Sequence, residues 1–283
     1  MVRPARLSRF DRPIGLGSQQ RAYYGDLKGG IRRARVAIFD YLERRAVLDR
    51  FARDAQRQAS KKQLEGEDLI ESVVLSDMRD VFDDMAAELE ITMNKHAISG
   101  WETGGRVGRI RLGVAGTFTL KNPMILDRIK SRATDLAEIF GEDMADSIIK
   151  TIVQGFYVEG KNPLEVARML SGTIDGFEIG RARAVARTET GIAVEQAQYE
   201  VYKTSGVARK RWISTLDNLT RPSHVKAHGQ VKPIDEPFEV GGNLLMHPLD
   251  PDAPAEEVVR CRCDELPELE GVEVVPEDIW GGE

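Results

Sequence analysis

The chain has 283 residues, 41% of them hydrophobic and 30% charged, a balance that excludes wholesale disorder and suits a globular protein. Its net charge of -6 conceals a dipole: residues 1 to 62 hold sixteen Lys/Arg against six Asp/Glu, whereas residues 250 to 283 hold twelve acids and two arginines. No stretch approaches the roughly 18 uncharged apolar residues of a membrane span, and the first residues lack the apolar run of a signal peptide, so a cytosol-like compartment and no membrane partner are expected.

The length predicts two structural regions in an α+β chain, a mostly helical N-terminal region followed by a small mixed α/β C-terminal domain. Residues 1–25 read as a basic extended arm, with Arg3, Arg6, Arg9 and Arg12 at every third position and Pro4 and Pro13 interrupting any helix. These arginines, with Arg32 and Arg33, are candidate contacts for a phosphate backbone or an acidic protein surface. A frayed, merely soluble terminus is the competing reading.

Residues 26–150 form the expected helical region. Ile31, Ile38, Leu42, Val47 and Phe51 follow a helical repeat from Gly30 to about Leu64, and Ile70, Val74, Met78, Phe82, Met85 and Leu89 follow one from Glu67 to about Ile98. A hairpin of two long amphipathic helices turning at Gly66 is predicted. The stretch 99–123 breaks this pattern: it is glycine-rich and locally basic through Arg106, Arg109, Arg111 and Lys121. It reads as a loop or a β-like insert, with Val107 to Leu112 and Thr117 to Leu120 as short strands, and phosphate binding as the second reading.

Helices are predicted again from Pro123 to about Gly155, from an Asn162 N-cap with Pro163 in the first turn, and across 178–206, closing at Gly206. After Gly206 the pattern turns to strand. In 207–214, Lys210, Trp212 and Ser214 fall on one face. A short helix over 221–228, with Thr220 as N-cap and Gly229 just past its end, sets His224 and His228 four apart on one side. Another short helix precedes Cys261 and Cys263, which share a side if extended.

Three of the four histidines and both cysteines fall between 224 and 263. The cysteines are too close in sequence for a useful disulfide, so reduced thiols are expected. Tetrahedral zinc takes thiolate and imidazole, and His224, His228, Cys261 and Cys263 supply four donors, with His247 as a substitute for His228. H-x3-H followed by C-x-C is not a common finger spacing, and two small buried hydrophobes beside a hydrogen-bonded histidine is the competing reading.

From about 150 to 264 the ordered constellation VARTE (185–189), WIST-x-D (212–217), TRPSH (220–224), HGQ (228–230), FEVGG (238–242), HPLDPDAP (247–254) and CRC (261–263) resembles the phage Mu F-like minor head protein family. The resemblance implies a head morphogenesis domain over 151–267, with an acidic tail at 268–283. It implies a structural protein of a tailed phage or prophage, associated with the portal during head assembly, DNA packaging or ejection. Its partners would be the portal protein, the major capsid or scaffold interior, and packaged DNA bound without sequence preference. Its place would be the virion head interior near the portal, and the host cytoplasm during assembly. The family motifs fall on Arg187, Thr188, Glu189, Trp212, Asp217, Thr220, Arg221, His224, Gly229, Cys261 and Cys263, and Arg187, Glu189, Asp217 and Arg221 make the polar cluster. Arg260 and His247 depart from the pattern, which weakens His247 as a ligand.

The competing class is an enzyme on the C-terminal domain, a metal-dependent hydrolase or nuclease, or an ADP-ribosyltransferase-like protein. The sequence carries no GxSxG, HExxH, or HxE with PCxxC, so no enzyme and no catalytic residue is expected. Zinc is the one candidate cofactor.

Overall fold

A computed structural model describes residues 16–44, 47–59, 78–114 and 118–269, and their fold is α+β as expected. The helices are α1 (Leu16–Arg44), α2 (Val47–Ala59), α3 (Arg79–Arg111), α4 (Pro123–Val153), α5 (Pro163–Gly176), α6 (Ala182–Thr204), α7 (Pro222–Ala227) and α8 (Ala255–Val258). The strands are β1 (Arg209–Ile213), β2 (Val231–Pro233), β3 (Phe238–Val240), β4 (Asn243–Leu245) and β5 (Asp264–Glu268). Arg3, Arg6, Arg9 and Arg12, the turn at Gly66 and nearly all of the acidic tail lie outside the described residues. Residues 16–25, assigned to the extended arm, are helical instead. Pro4 and Pro13 precede Leu16 in the sequence, and no proline falls within α1.

Two compact units divide the chain: residues 22–95 with 127–183, and residues 1–21 with 96–126 and 184–283. The helical unit, 22–95 with 127–183, has an apolar interior. Tyr23, Leu27, Ile31, Ala34, Ile38 and Leu42 form one buried stripe on α1, and Met78, Phe82, Met85, Leu89 and Met93 another along α3. The two helices run antiparallel, with Asp26 bonded to Lys95 at 2.9 Å and Gly30 against Leu89. Each fully buried Leu, Ile or Met contributes about 1.5–3 kcal/mol. On α5, Val166, Leu170 and Ile174 repeat every four residues and are fully buried. Its start is as the sequence predicts: the Asn162 side chain accepts the Glu165 amide and the Glu165 carboxylate accepts the Asn162 amide, a full capping box. The helix from Asn162, expected to end at about Leu170, runs on instead: a π-helical turn, Phe177–Arg181, carries α5 into α6.

The second unit corrects the reading of 99–123. Residues 99–111 are the end of α3, and 118–120 are not a strand. Gly100, Gly104 and Gly108 lie on one face of the helix at four-residue spacing, against Ala193, Ala197 and Val201 of α6, and the constant offset makes the two helices parallel. A Cβ at Gly104 would lie 2.2 Å from the Val194 carbonyl oxygen. The glycines therefore serve a close helix crossing, and their low helix propensity is overridden by packing. Arg111, expected on a basic loop, is buried and bonded to Asp264 at 2.5 Å and to Gln198.

β1 is the centre of an antiparallel sheet of order β2-β1-β5, with Trp212 opposite Glu265. The predicted alternation holds, since Lys210, Trp212 and Ser214 all face inward with no exposed surface. β3 and β4 form a two-residue hairpin through Gly241 and Gly242, both with positive φ, the geometry of a type I′ turn. Trp212, Phe238, Val240, Leu245, Leu249, Val258 and both cysteines share one apolar core.

Candidate metal centre

Three of the four expected donors meet. The two segments that carry them are 37 residues apart: α7 brings His224, and the extended CRC stretch after α8 brings Cys261 and Cys263. His224 Nδ1 lies 3.2 Å from Cys263 Sγ and 3.5 Å from Cys261 Sγ, and all three atoms lie within 4.8 Å of one another. All three side chains are buried. Both thiols are free, as expected. This is a group able to hold a metal ion. With Zn–S near 2.3 Å and Zn–N near 2.0–2.1 Å, donors of one tetrahedral ion stand about 3.5 Å apart, close to the observed separations.

His228 is not among them. α7 ends at Ala227, and the His228 backbone has already left the helix with ψ 130°, so the four-residue spacing no longer places the two rings together. Its Nδ1 instead accepts the Ser214 amide at 3.0 Å. His247 is buried elsewhere, with Nδ1 2.9 Å from the Pro248 carbonyl. Burial holds both of these imidazoles below the usual histidine range.

The group's fourth polar member is Glu257, which sequence reasoning missed. Its Oε2 accepts His224 Nε2–H at 2.8 Å and the Ser223 hydroxyl at 3.0 Å. The rest of the shell is cross-bonded. Trp212 Nε1 donates to Ser214 Oγ at 3.0 Å, the Ser214 hydroxyl donates to the His224 carbonyl at 2.6 Å, and the Trp212 and His224 rings meet edge to face at 5.6 Å. Burial opposes charge on His224, but bonds to Cys261 and Glu257 outweigh it and raise its pKa. Bonding to Cys263 and to His224 lowers Cys261 far below the thiol range, and the same bond with Cys261, with burial, raises Cys263. The group thus favours a Cys261 thiolate, the form that ligates metals.

Two members of the family-motif polar cluster, Asp217 and Arg221, tie the start of α7 to the CRC segment and α8. Asp217 pairs with Arg262, which lies between the two cysteines, and this bond holds its carboxyl well below the usual range. Arg221 donates to the Val259 carbonyl, anchoring the start of α7 to the end of α8. Thr220 does not cap α7: its hydroxyl bonds Asp217, and Arg221 is the N-cap, without a side-chain bond. Arg187 and Glu189 are half-buried on α6, and between them Thr188 Oγ1 accepts the amide of Arg260, a residue held at φ 61°. Arg260, a departure from the family pattern, is thereby a turn residue rather than a site residue.

A second buried polar group also escaped the sequence. Lys210 is wholly buried, donates to the Met246 carbonyl and lies 4.6 Å from the Tyr199 ring centroid. Glu265 is wholly buried and neither carboxylate oxygen has a hydrogen-bond partner among the described residues. Burial pulls Lys210 down to about 8 and pushes Glu265 up to about 8.

The family model described as Phage Mu protein F like protein matches residues 146–266, which contain the whole His224–Cys261–Cys263 group and Glu257. An Enterococcus faecalis (strain ATCC 700802 / V583) protein named "NAD(+)--arginine ADP-ribosyltransferase EFV" is 28% identical over 137 residues, which are 47% of this chain and 28% of that protein. A Bacillus subtilis (strain 168) protein named "Uncharacterized protein YqbB" is 27% identical over 151 residues, 52% of this chain and 49% of that protein. The chain spans less than half the length of each of these relatives. No solved structure matches it significantly. The motifs from VARTE to CRC thus fall inside one matched segment, and over residues 146–266 the chain is similar to the phage Mu F-like protein family.

Proposed function

We propose that this protein is a minor head protein of a tailed phage or prophage, acting in head morphogenesis beside the portal. The observation that carries the reading is the family match over 146–266, since that family points to head morphogenesis. In this reading the protein sits in the head interior near the portal, contacts the portal protein and the capsid or scaffold interior, and occupies the host cytoplasm during assembly. Among the described residues no helix is long and apolar enough to cross a membrane. The positive charge of residues 1 to 62 supports a non-specific contact with packaged DNA, driven by counterion release and weakened by salt. Arg32 and Arg33 are already engaged by Glu178 and Glu88 of their own unit, so Arg3, Arg6, Arg9 and Arg12 are the better candidates for that contact. Zinc, on His224, Cys261 and Cys263, is the cofactor this reading carries.

Co-expression with the cognate portal, scaffold and major capsid proteins, followed by sedimentation, tests the role. The protein is expected in the particle fraction and to leave it when the portal is omitted. A protein that stays at the top of the gradient, with particles of unchanged yield and composition in its absence, overturns the reading. The catalytic alternative is favoured by the name of the E. faecalis relative, of which only 28% is aligned. Release of nicotinamide from NAD by the purified chain would support it; none is expected.

A further inference from the structure

We infer that Glu257 is the positioning residue of this centre: by accepting His224 Nε2–H it commits Nδ1, together with Cys261 and Cys263, to a thiophilic divalent ion. The inference deepens the zinc reading above and rests on it, but it is independent of the role in phage heads.

A neutral imidazole carries one N–H, and whichever nitrogen lacks it is the ligand. Here Nδ1 faces both sulfurs while Nε2 faces a carboxylate 2.8 Å away. A carboxylate on the far nitrogen of a ligating histidine fixes the tautomer and ring orientation and makes the ligand more basic. Glu257 is itself tightly held. Its Oε2 also accepts from Ser223, and its Oε1 occupies the place where a side chain on Gly241 would begin, 2.0 Å from an ideal Cβ. Gly241 has φ 61°, so the hairpin turn supplies both a backbone that favours glycine and the space the carboxylate fills. Glu257 precedes Cys261 by four residues, and Ser223 precedes His224 by one, so the two segments that supply the ligands also supply the shell. A buried carboxylate is costly unless paired, and its only charged-type partner among the bonds described is the His224 imidazole, consistent with a positioning task.

The test uses the full chain, reduced and stripped of metal with a chelator, and titrated with cobalt(II) and then zinc(II). One cobalt per chain with thiolate-to-metal charge-transfer absorption is expected, displaced by zinc, absent in Cys261→Ser and unchanged in His228→Ala. Glu257→Gln is expected to weaken metal affinity 10- to 100-fold. Ser223→Ala, which leaves the carboxylate in place, is expected to weaken it several-fold. Imidazole ¹⁵N–¹H correlations of the zinc-loaded wild type are expected to show Nε2–H with Nδ1 on the metal, a readout that needs no variant to fold. A wild type that takes up no cobalt through thiolates ends the zinc reading itself. If the wild type binds but His224 ligates through Nε2, or Glu257→Gln binds as tightly as wild type, the metal stands and the role of Glu257 is overturned.

Discussion

The helical unit and the C-terminal module solve the same problem of burial in opposite ways. In the helical unit the interior is a set of apolar stripes, and most described charges lie at or near the surface in pairs such as Arg33–Glu88 and Lys95–Asp26, the buried Glu178 being held by Lys28 and Arg32. In the C-terminal module, Lys210, Glu265, His224 and Glu257 are buried among aromatic and sulfur side chains, and Glu195 and Arg111 are buried in the same unit. Apolar stripes tolerate substitution if volume is kept, whereas buried polar groups demand particular partners. The contrast teaches that stability rests on apolar burial, helped by helix propensity and capping, in one region and on close approach and buried polar partners in the other.

Substitutions matched across the two regions sharpen this contrast. The largest effect is expected from Gly104→Ala, whose methyl meets the α6 backbone; a loss of about 2–3 kcal/mol in denaturant unfolding is expected. A loss under about 0.5 kcal/mol would mean that the two helices do not cross this closely. Next is the pH dependence of Glu265. Its folded pKa, about 8, lies above the ordinary 4.5, so the folded state holds the extra proton and stability falls as pH rises from about 4.5 to about 8. Lys210, pulled down from 10.5 to about 8, acts in the opposite sense above that point, and stability recovers from about 8 to 10.5. Glu265→Gln is expected to remove the fall, so that the variant gains on wild type progressively between pH 5 and 8. Parallel curves for the two proteins over that window would refute a buried titrating carboxyl.

In the helical unit the effects are smaller. Asn162→Ala removes the capping box and is expected to cost about 1 kcal/mol, measured as a shift in the unfolding midpoint. Gly25→Ala, at an exposed position of α1 where an added Cβ meets nothing within 4 Å, is expected to stabilise by about 0.5–1 kcal/mol. The same glycine-to-alanine change thus has opposite signs at positions 25 and 104. Equal signs would dissolve the distinction between the regions.

These differences also account for what was legible in the sequence. Stripes such as Met78, Phe82, Met85 and Leu89 announce helices because one face must be apolar, and Asn162-Pro163 announces a start because its chemistry is local. The convergence of His224 with Cys261 and Cys263 followed from donor chemistry. The α3 extension was hidden because glycine lowers helix propensity locally, while its reason, the approach of α6, lies some ninety residues away. His228 misled because the spacing argument assumes a helix that in fact stops one residue earlier. Glu257 gave no signal, since a glutamate bonded to a ring looks the same in sequence as one bonded to water. Residues 231–245 kept their strands hidden for a related reason: three-residue strands are too short for alternation to show.

The central position of β1 bears on how the chain is made. Its partner on one side, β2, follows within some twenty residues, but β5 arrives roughly fifty residues after Trp212. At about 5–20 residues per second of synthesis, the inner strand waits for roughly 3 to 10 s with one hydrogen-bonding edge bare. During that interval a neighbouring nascent chain could pair with it. Ribosome pausing between 214 and 264 is therefore expected to raise aggregation, and pausing after 268 is not.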